Sequence, residues 1–114
     1  MTTVTVKRSE AGIDGISVTG HSGYGTAGGD IVCAAASVLI FTCANALQSV
    51  AHIQPDIVQD ERGTKISVSL PEGLAPEKSR DAQVIMETIL QGYSDVAQEY
   101  PKFLKINDGR KSSC

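Results

Sequence analysis

The sequence predicts an α+β domain, an antiparallel sheet packed under two helices, on three observations. Short stretches of alternating apolar and polar residues occur in two pairs, each joined by turn-forming residues, as hairpins are. A long uncharged run follows the first pair, and an apolar stripe of helical period follows the second. The element order is therefore ββαββα with a short final β segment, and hairpins in place of crossovers favour an antiparallel sheet covered on one face.

Val4 and Val6 alternate with Thr3, Thr5 and Lys7, which reads as a half-buried strand. Turn residues Glu10, Ala11, Gly12, Asp14 and Gly15 lead to Ile16 and Val18, alternating with Ser17 and Thr19 up to about Gly20. A glycine-rich segment follows, and helix 1 should begin with Asp30 as its N-cap, since its side chain can accept unpaired amide hydrogens. That helix should run to about His52 and stop before Pro55. Residues 56–60 and 65–70 form the second hairpin around 61–64, with Ile66, Val68 and Leu70 alternating against Ser67 and Ser69. Pro76 suits the first turn of helix 2. There Ala82, Ile85, Met86, Ile89, Leu90, Tyr93, Val96, Ala97 and Tyr100 mark one face, and Arg80, Glu87, Gln91, Ser94 and Gln98 the other. Residues 103–106 supply the last edge strand, so residues 1–107 read as one domain and 108–114 as a polar tail.

Composition excludes several classes. The net charge of −3 and ten scattered Lys and Arg residues give no phosphate-binding patch, and five aromatics offer little for base stacking. No cluster of His, Cys and carboxylates suits a metal, and no cofactor motif is present. Cys33, Cys43 and Cys114 form no C-x-x-C pair, which fits a reducing, cytoplasmic setting. Residues 31–54 lack Asp, Glu, Lys and Arg, but the run is interrupted by Ser37, Thr42 and Asn45. A helix buried on most sides, in a soluble core or a subunit interface, is therefore expected rather than a membrane span.

The chemistry centres on Cys33 and His21. A thiol in the first turn of helix 1 would meet the positive end of the helix dipole, and the same amides could hold an oxyanion. The competing reading is a small core cysteine. His21 sits across a loop rich in glycine and could fold back to the sulfur as general base, or be an exposed loop histidine. His52 is excluded as the base, because nineteen residues of helix place it about 28 Å away. The same ruler puts Cys43 about 15 Å from Cys33, beyond disulfide reach. Asp30 could cap the helix or orient His21, with the cap favoured. Ser37, one turn after Cys33, could support the site or bond back to its own helix. The loop lacks the ending of a P-loop and fits a flap over a peptide groove.

The run Gly20, His21, Ser22, Gly23, Tyr24, Gly25, then Gly28, Gly29, Asp30, Ile31, Val32, Cys33, Ala34, Ala35, Ala36 and Ser37 resembles the signature of the Prp family, the ribosomal-processing cysteine peptidases. The similarity extends over essentially the whole chain, with Ser22 and Ala36 as small departures from an expected alanine and valine. The resemblance implies a homodimeric endopeptidase with a Cys33–His21 dyad. It also implies a peptide substrate, the N-terminal extension of large-subunit ribosomal protein twenty-seven. Two other classes remain: a ribosome-associated binding module with no catalysis, and a thiol acyl-transfer or redox protein. The latter lacks a resolving cysteine.

Overall fold

The computed structural model describes residues 1–20, 29–60 and 65–109. Its elements are β1 (Thr2–Ser9), β2 (Gly12–Thr19), α1 (Gly29–Ser49), β3 (Asp56–Gln59), β4 (Lys65–Ser69), α2 (Pro76–Glu99) and β5 (Leu104–Asp108). The strands form one sheet in the order β3-β4-β2-β1-β5. Helix α1 lies over β4 and β2, and α2 over β2 and β5, so one face is covered. The other face presents hydroxyls, among them Ser17 and Ser67 in contact at 3.0 Å.

The α+β class and both hairpins are as the sequence predicts, but the sheet is mixed. β5 pairs parallel to β1, with Thr2 opposite Leu104 and Val6 opposite Asp108. The cause is the length of α2. Twenty-four helical residues return the chain by about 36 Å, so it enters β5 in the direction in which it left β4. A parallel pair needs a crossover of this kind.

The first hairpin is longer than the alternation implies, because β2 contains a bulge. Lys7 pairs with Gly15, whereas Arg8 pairs with Ile13, leaving Asp14 as the extra residue. The bulge resets the period of two, so that Ile13 and Ile16 both face the core. Past it, the Gln83 side chain behaves like a neighbouring strand. Its Oε1 accepts from the Ile13 amide and its Nε2 donates to the Ile13 carbonyl, both at 2.8 Å. Gly12 is required beside this bracket, since its φ is +121° and a Cβ would lie 2.3 Å from Gln83 Oε1.

Arg8, its side chain largely buried, ties β1 to its neighbour β5. Its Nε donates to Asp108 Oδ1 at 2.6 Å and its Nη2 to Oδ2 at 3.0 Å, while Glu87 of α2 lies 3.5 Å from Nη1. The two-pronged pairing with Asp108 holds the guanidinium pKa above its ordinary value. Asp108, expected to open the polar tail, is thus the last residue of β5.

The core joins Val4, Val6, Ile13, Ile16 and Val68 of the sheet to Ile40 and Leu47 of α1 and Met86 and Tyr93 of α2. Helix α1 ends at Ser49, short of the expected His52, because the chain turns left-handed there. His52 has φ 56°. The Ile53 amide reaches the Leu47 carbonyl at 2.8 Å, and Lys78 Nζ takes the Ala51 and His52 carbonyls at 3.3 and 2.7 Å. Glycine fits that dihedral without the steric cost of a Cβ. We predict that His52→Gly raises unfolding stability by about 0.5–1 kcal/mol, read as a higher denaturant midpoint at unchanged slope. A lower midpoint would show that the imidazole itself contributes there.

Candidate active site

Cys33 lies near the amino end of α1 and is half-buried. The helix begins at Gly29, one residue earlier than expected, so Asp30 is not the cap but the second helical residue, exposed in the first turn. Its carboxylate still lies at the positive end of the dipole, which favours it. Cys33 is correspondingly the fifth helical residue, about 6 Å along the axis from Gly29. Because helical Cβ atoms tilt toward the N-terminus, its side chain still leans over the first turn. Ser37 follows one turn later and is exposed. Of the other sequence candidates, Gly20 is described. His21, Gly23, Tyr24 and Gly28 lie outside the described residues. Among the described residues, no group of three or more His, Cys, Asp or Glu is placed to hold a metal ion.

The helix bearing Cys33 is anchored from one side. Val32, Ala36, Ile40, Cys43 and Leu47 are its buried stripe, at spacings of three and four. Tyr93 of α2, fully buried, donates its hydroxyl to the Ala36 carbonyl at 2.8 Å. That bond satisfies a phenol which burial drives to a raised pKa. Gly92 leaves the room into which the Leu39 side chain packs. Cys43 faces Met86 Sδ at 3.5 Å, and desolvation pushes its pKa up to about 11. It therefore stays a neutral core thiol, as its distance from Cys33 predicts.

Among the described residues, none covers the opposite face of α1. Ile31, Val38 and Phe41 are 54%, 62% and 50% exposed. The helix is long and apolar enough to cross a bilayer by length and composition, yet its buried stripe is built into the core. Within one chain the sheet and α2 reach a single face of the helix, so of the two covers expected from the sequence, core and subunit interface, the described residues supply the first.

Gly20 closes β2 directly before His21. Its φ is +85°, and a Cβ would lie 2.5 Å from the Met1 carbonyl oxygen, whose neighbour Thr2 donates its backbone N–H to the Phe103 carbonyl at 2.9 Å. Any side chain would push against backbone that cannot retreat. We predict that Gly20→Ala destabilises the fold by about 1–3 kcal/mol. Denaturant titration tests this, and an alanine variant with the wild-type midpoint would refute it.

A half-buried thiol at the amino end of a helix, on a two-layer α+β scaffold, is an arrangement that cysteine chemistry can use. The family model described as Cysteine protease Prp matches residues 1–105, and the chain belongs to that family. It is a cysteine protease. The Ribosomal processing cysteine protease Prp of Bacillus subtilis is 29% identical over 107 residues, covering 93% of this chain and 96% of the relative. The Staphylococcus aureus protein of the same name is 29% identical over 108 residues, covering 94% and 98%. Crystal structures agree. A Streptococcus mutans protein superposes with a TM-score of 0.83 at 29% identity, covering 95% of this chain and 93% of its own. The S. aureus protease with a covalently linked product peptide gives 0.80 at 29% identity, covering 95% and 99%.

Proposed function

We propose that this cysteine protease is a cytoplasmic endopeptidase that removes the N-terminal extension of large-subunit ribosomal protein twenty-seven, with Cys33 as nucleophile and His21 as general base. The observation that carries the reading is the family match over residues 1–105, joined to a half-buried Cys33 at the start of α1. Relatives named ribosomal processing proteases support the substrate class. The S. aureus relative crystallised with a substrate peptide supports peptide as the ligand.

In this mechanism His21 accepts the thiol proton, and the Cys33 sulfur adds to the scissile carbonyl. Backbone amides of the first turn of α1 hold the oxyanion, which costs no reorganisation because the helix orients them already. Collapse breaks the C–N bond, His21 returns the proton to the leaving amine, and a thioester remains. Water activated by His21 hydrolyses it and restores the thiol. Asp30 and Ser37 border the thiol on the same stretch of helix and support the site.

Incubation with the extended ribosomal precursor should release a short peptide, and Cys33→Ala should abolish that release while leaving the thermal midpoint within a few degrees of wild type. Release by the alanine variant at the wild-type rate would leave only a binding role.

The exposed row of Ile31, Val38 and Phe41 supports a homodimer through α1 as part of this reading. Burying each side chain would yield roughly 1–2 kcal/mol, and a second copy supplies the same surface. The chain should sediment at twice its 12.0 kDa mass, and Phe41→Glu should return it to one. A wild-type monomer at micromolar concentration would overturn the dimer.

A further inference from the structure

The face of the sheet turned away from the helices has a charge of its own. Alternate residues of a strand share a face. The registers place Lys7 of β1, Lys65 of β4 and Lys105 of β5 on this one, opposite Gly15, Thr19 and Thr3 respectively. These lysines are far apart in the chain, and the strand order β3-β4-β2-β1-β5 brings them together. Lys65 and Lys105 stand at the two ends of one row, three strand spacings or about 14 Å apart. Lys7 lies four residues along β1 from Thr3, about 13 Å.

All three lysines are exposed, and none forms an ion pair with a described residue. Between them lie Thr3, Thr5, Ser17, Thr19, Ser67 and Ser69. Among the described residues, the one carboxylate at a paired position of this face is Asp56, opposite Ser69 at the edge. A depression of about 290 Å³ crosses the face from Lys7 to Lys65, floored by hydroxyls. It dips where Gly15 supplies no side chain between Lys7 and Ser69. The whole chain has a net charge of −3, so the acidic groups gather elsewhere. The exposed side of α2 carries Glu77, Asp81, Asp95 and Glu99, beyond the helical layer. Cations and hydroxyls thus occupy one side of the molecule and carboxylates the other.

We infer that the open face of the sheet binds RNA through its phosphate and ribose groups, without reading sequence. Ammonium groups neutralise phosphates, and hydroxyls hydrogen-bond to phosphate oxygens and to the 2′-OH. No aromatic side chain stands at a paired position of this face, so bases find no platform on which to stack. The choice of RNA among polyanions rests on the peptidase reading, because a ribosomal protein is a substrate that assembles on RNA. The surface is distinct from the helix that bears Cys33. Both helices pack on the opposite face of the sheet, so a second copy seated on α1 leaves this one open.

The test titrates the whole chain into a short fluorescein-labelled oligouridylate and reads anisotropy at several salt concentrations. Three neutralised phosphates give a slope of about −2 for a single strand, so affinity should fall about 20-fold between about 50 and 200 mM salt. Lys7→Gln, Lys65→Gln or Lys105→Gln should each cut that fall to about sevenfold, and the triple variant should lose binding. Lys102→Gln, exposed but outside the sheet, should match wild type. Surface changes of this kind cost little stability, and the single variants decide the matter even where the triple variant does not fold. A salt dependence equal in wild type and all three single variants overturns the inference. Oligodeoxyuridylate bound as tightly as its ribose counterpart also overturns it, by assigning the lysines to phosphate alone. Polyglutamate that competes as well as RNA overturns it too, by assigning them to an acidic protein. None of these measurements uses turnover, so their failure leaves the peptidase reading standing. Lysine-dependent RNA binding by a chain that cleaves no ribosomal precursor supports the surface and overturns the peptidase reading alone.

Discussion

The hydrogen bond from the Tyr93 hydroxyl to the Ala36 carbonyl, 2.8 Å long and fully enclosed, sets where the helix that carries Cys33 lies. A buried phenol without a partner would cost several kcal/mol of lost hydration. The bond also constrains how α1 can slide or rotate against α2. Cys33 stands three residues before Ala36, within the same turn. The Leu39–Gly92 contact and the row from Val32 to Leu47 then determine which flank of the helix carries the thiol. Precision at the thiol thus comes from a polar contact inside an apolar interface, where packing alone would tolerate small shifts.

Anchoring on one side leaves two surfaces uncovered, and they differ in kind. The outer face of α1 exposes apolar side chains, which gain from being removed from water and are indifferent to direction. The edge of β3 exposes backbone donors and acceptors, which demand an extended partner in register. Both arise from one arrangement: two helices cover one face of a five-stranded sheet, and the β3 residues at its edge stay exposed.

Much of this was legible in the residues. The 3.6 period of α2 located its inward face, on which Ala82, Met86, Ile89, Leu90 and Tyr93 are buried and Ile85, Val96, Ala97 and Tyr100 half-buried. The length of an uninterrupted helix separated Cys33 from Cys43 and His52. The Ile13 contribution was hidden, because a bulge at Asp14 changes the phase of alternation and no residue type announces it. The start of α1 at Gly29 was hidden as well. Asp30 is a good capping residue, but glycine before it also accepts helical dihedrals, and local preference does not choose between adjacent starts.

Near-neighbour chemistry explains why the chain itself specified the α+β class, the two hairpins, the amphipathic helix and a cysteine opening the uncharged helix. Each rests on spacings of a few residues, which local periodicity encodes. The direction of β5, the Arg8–Asp108 clasp across 100 positions, the bracket of Gln83 around Ile13 and the flank chosen by Cys33 came from folding in three dimensions. These join residues far apart in the chain, and the partner of a long-range contact is set by which surfaces remain once the local elements have packed.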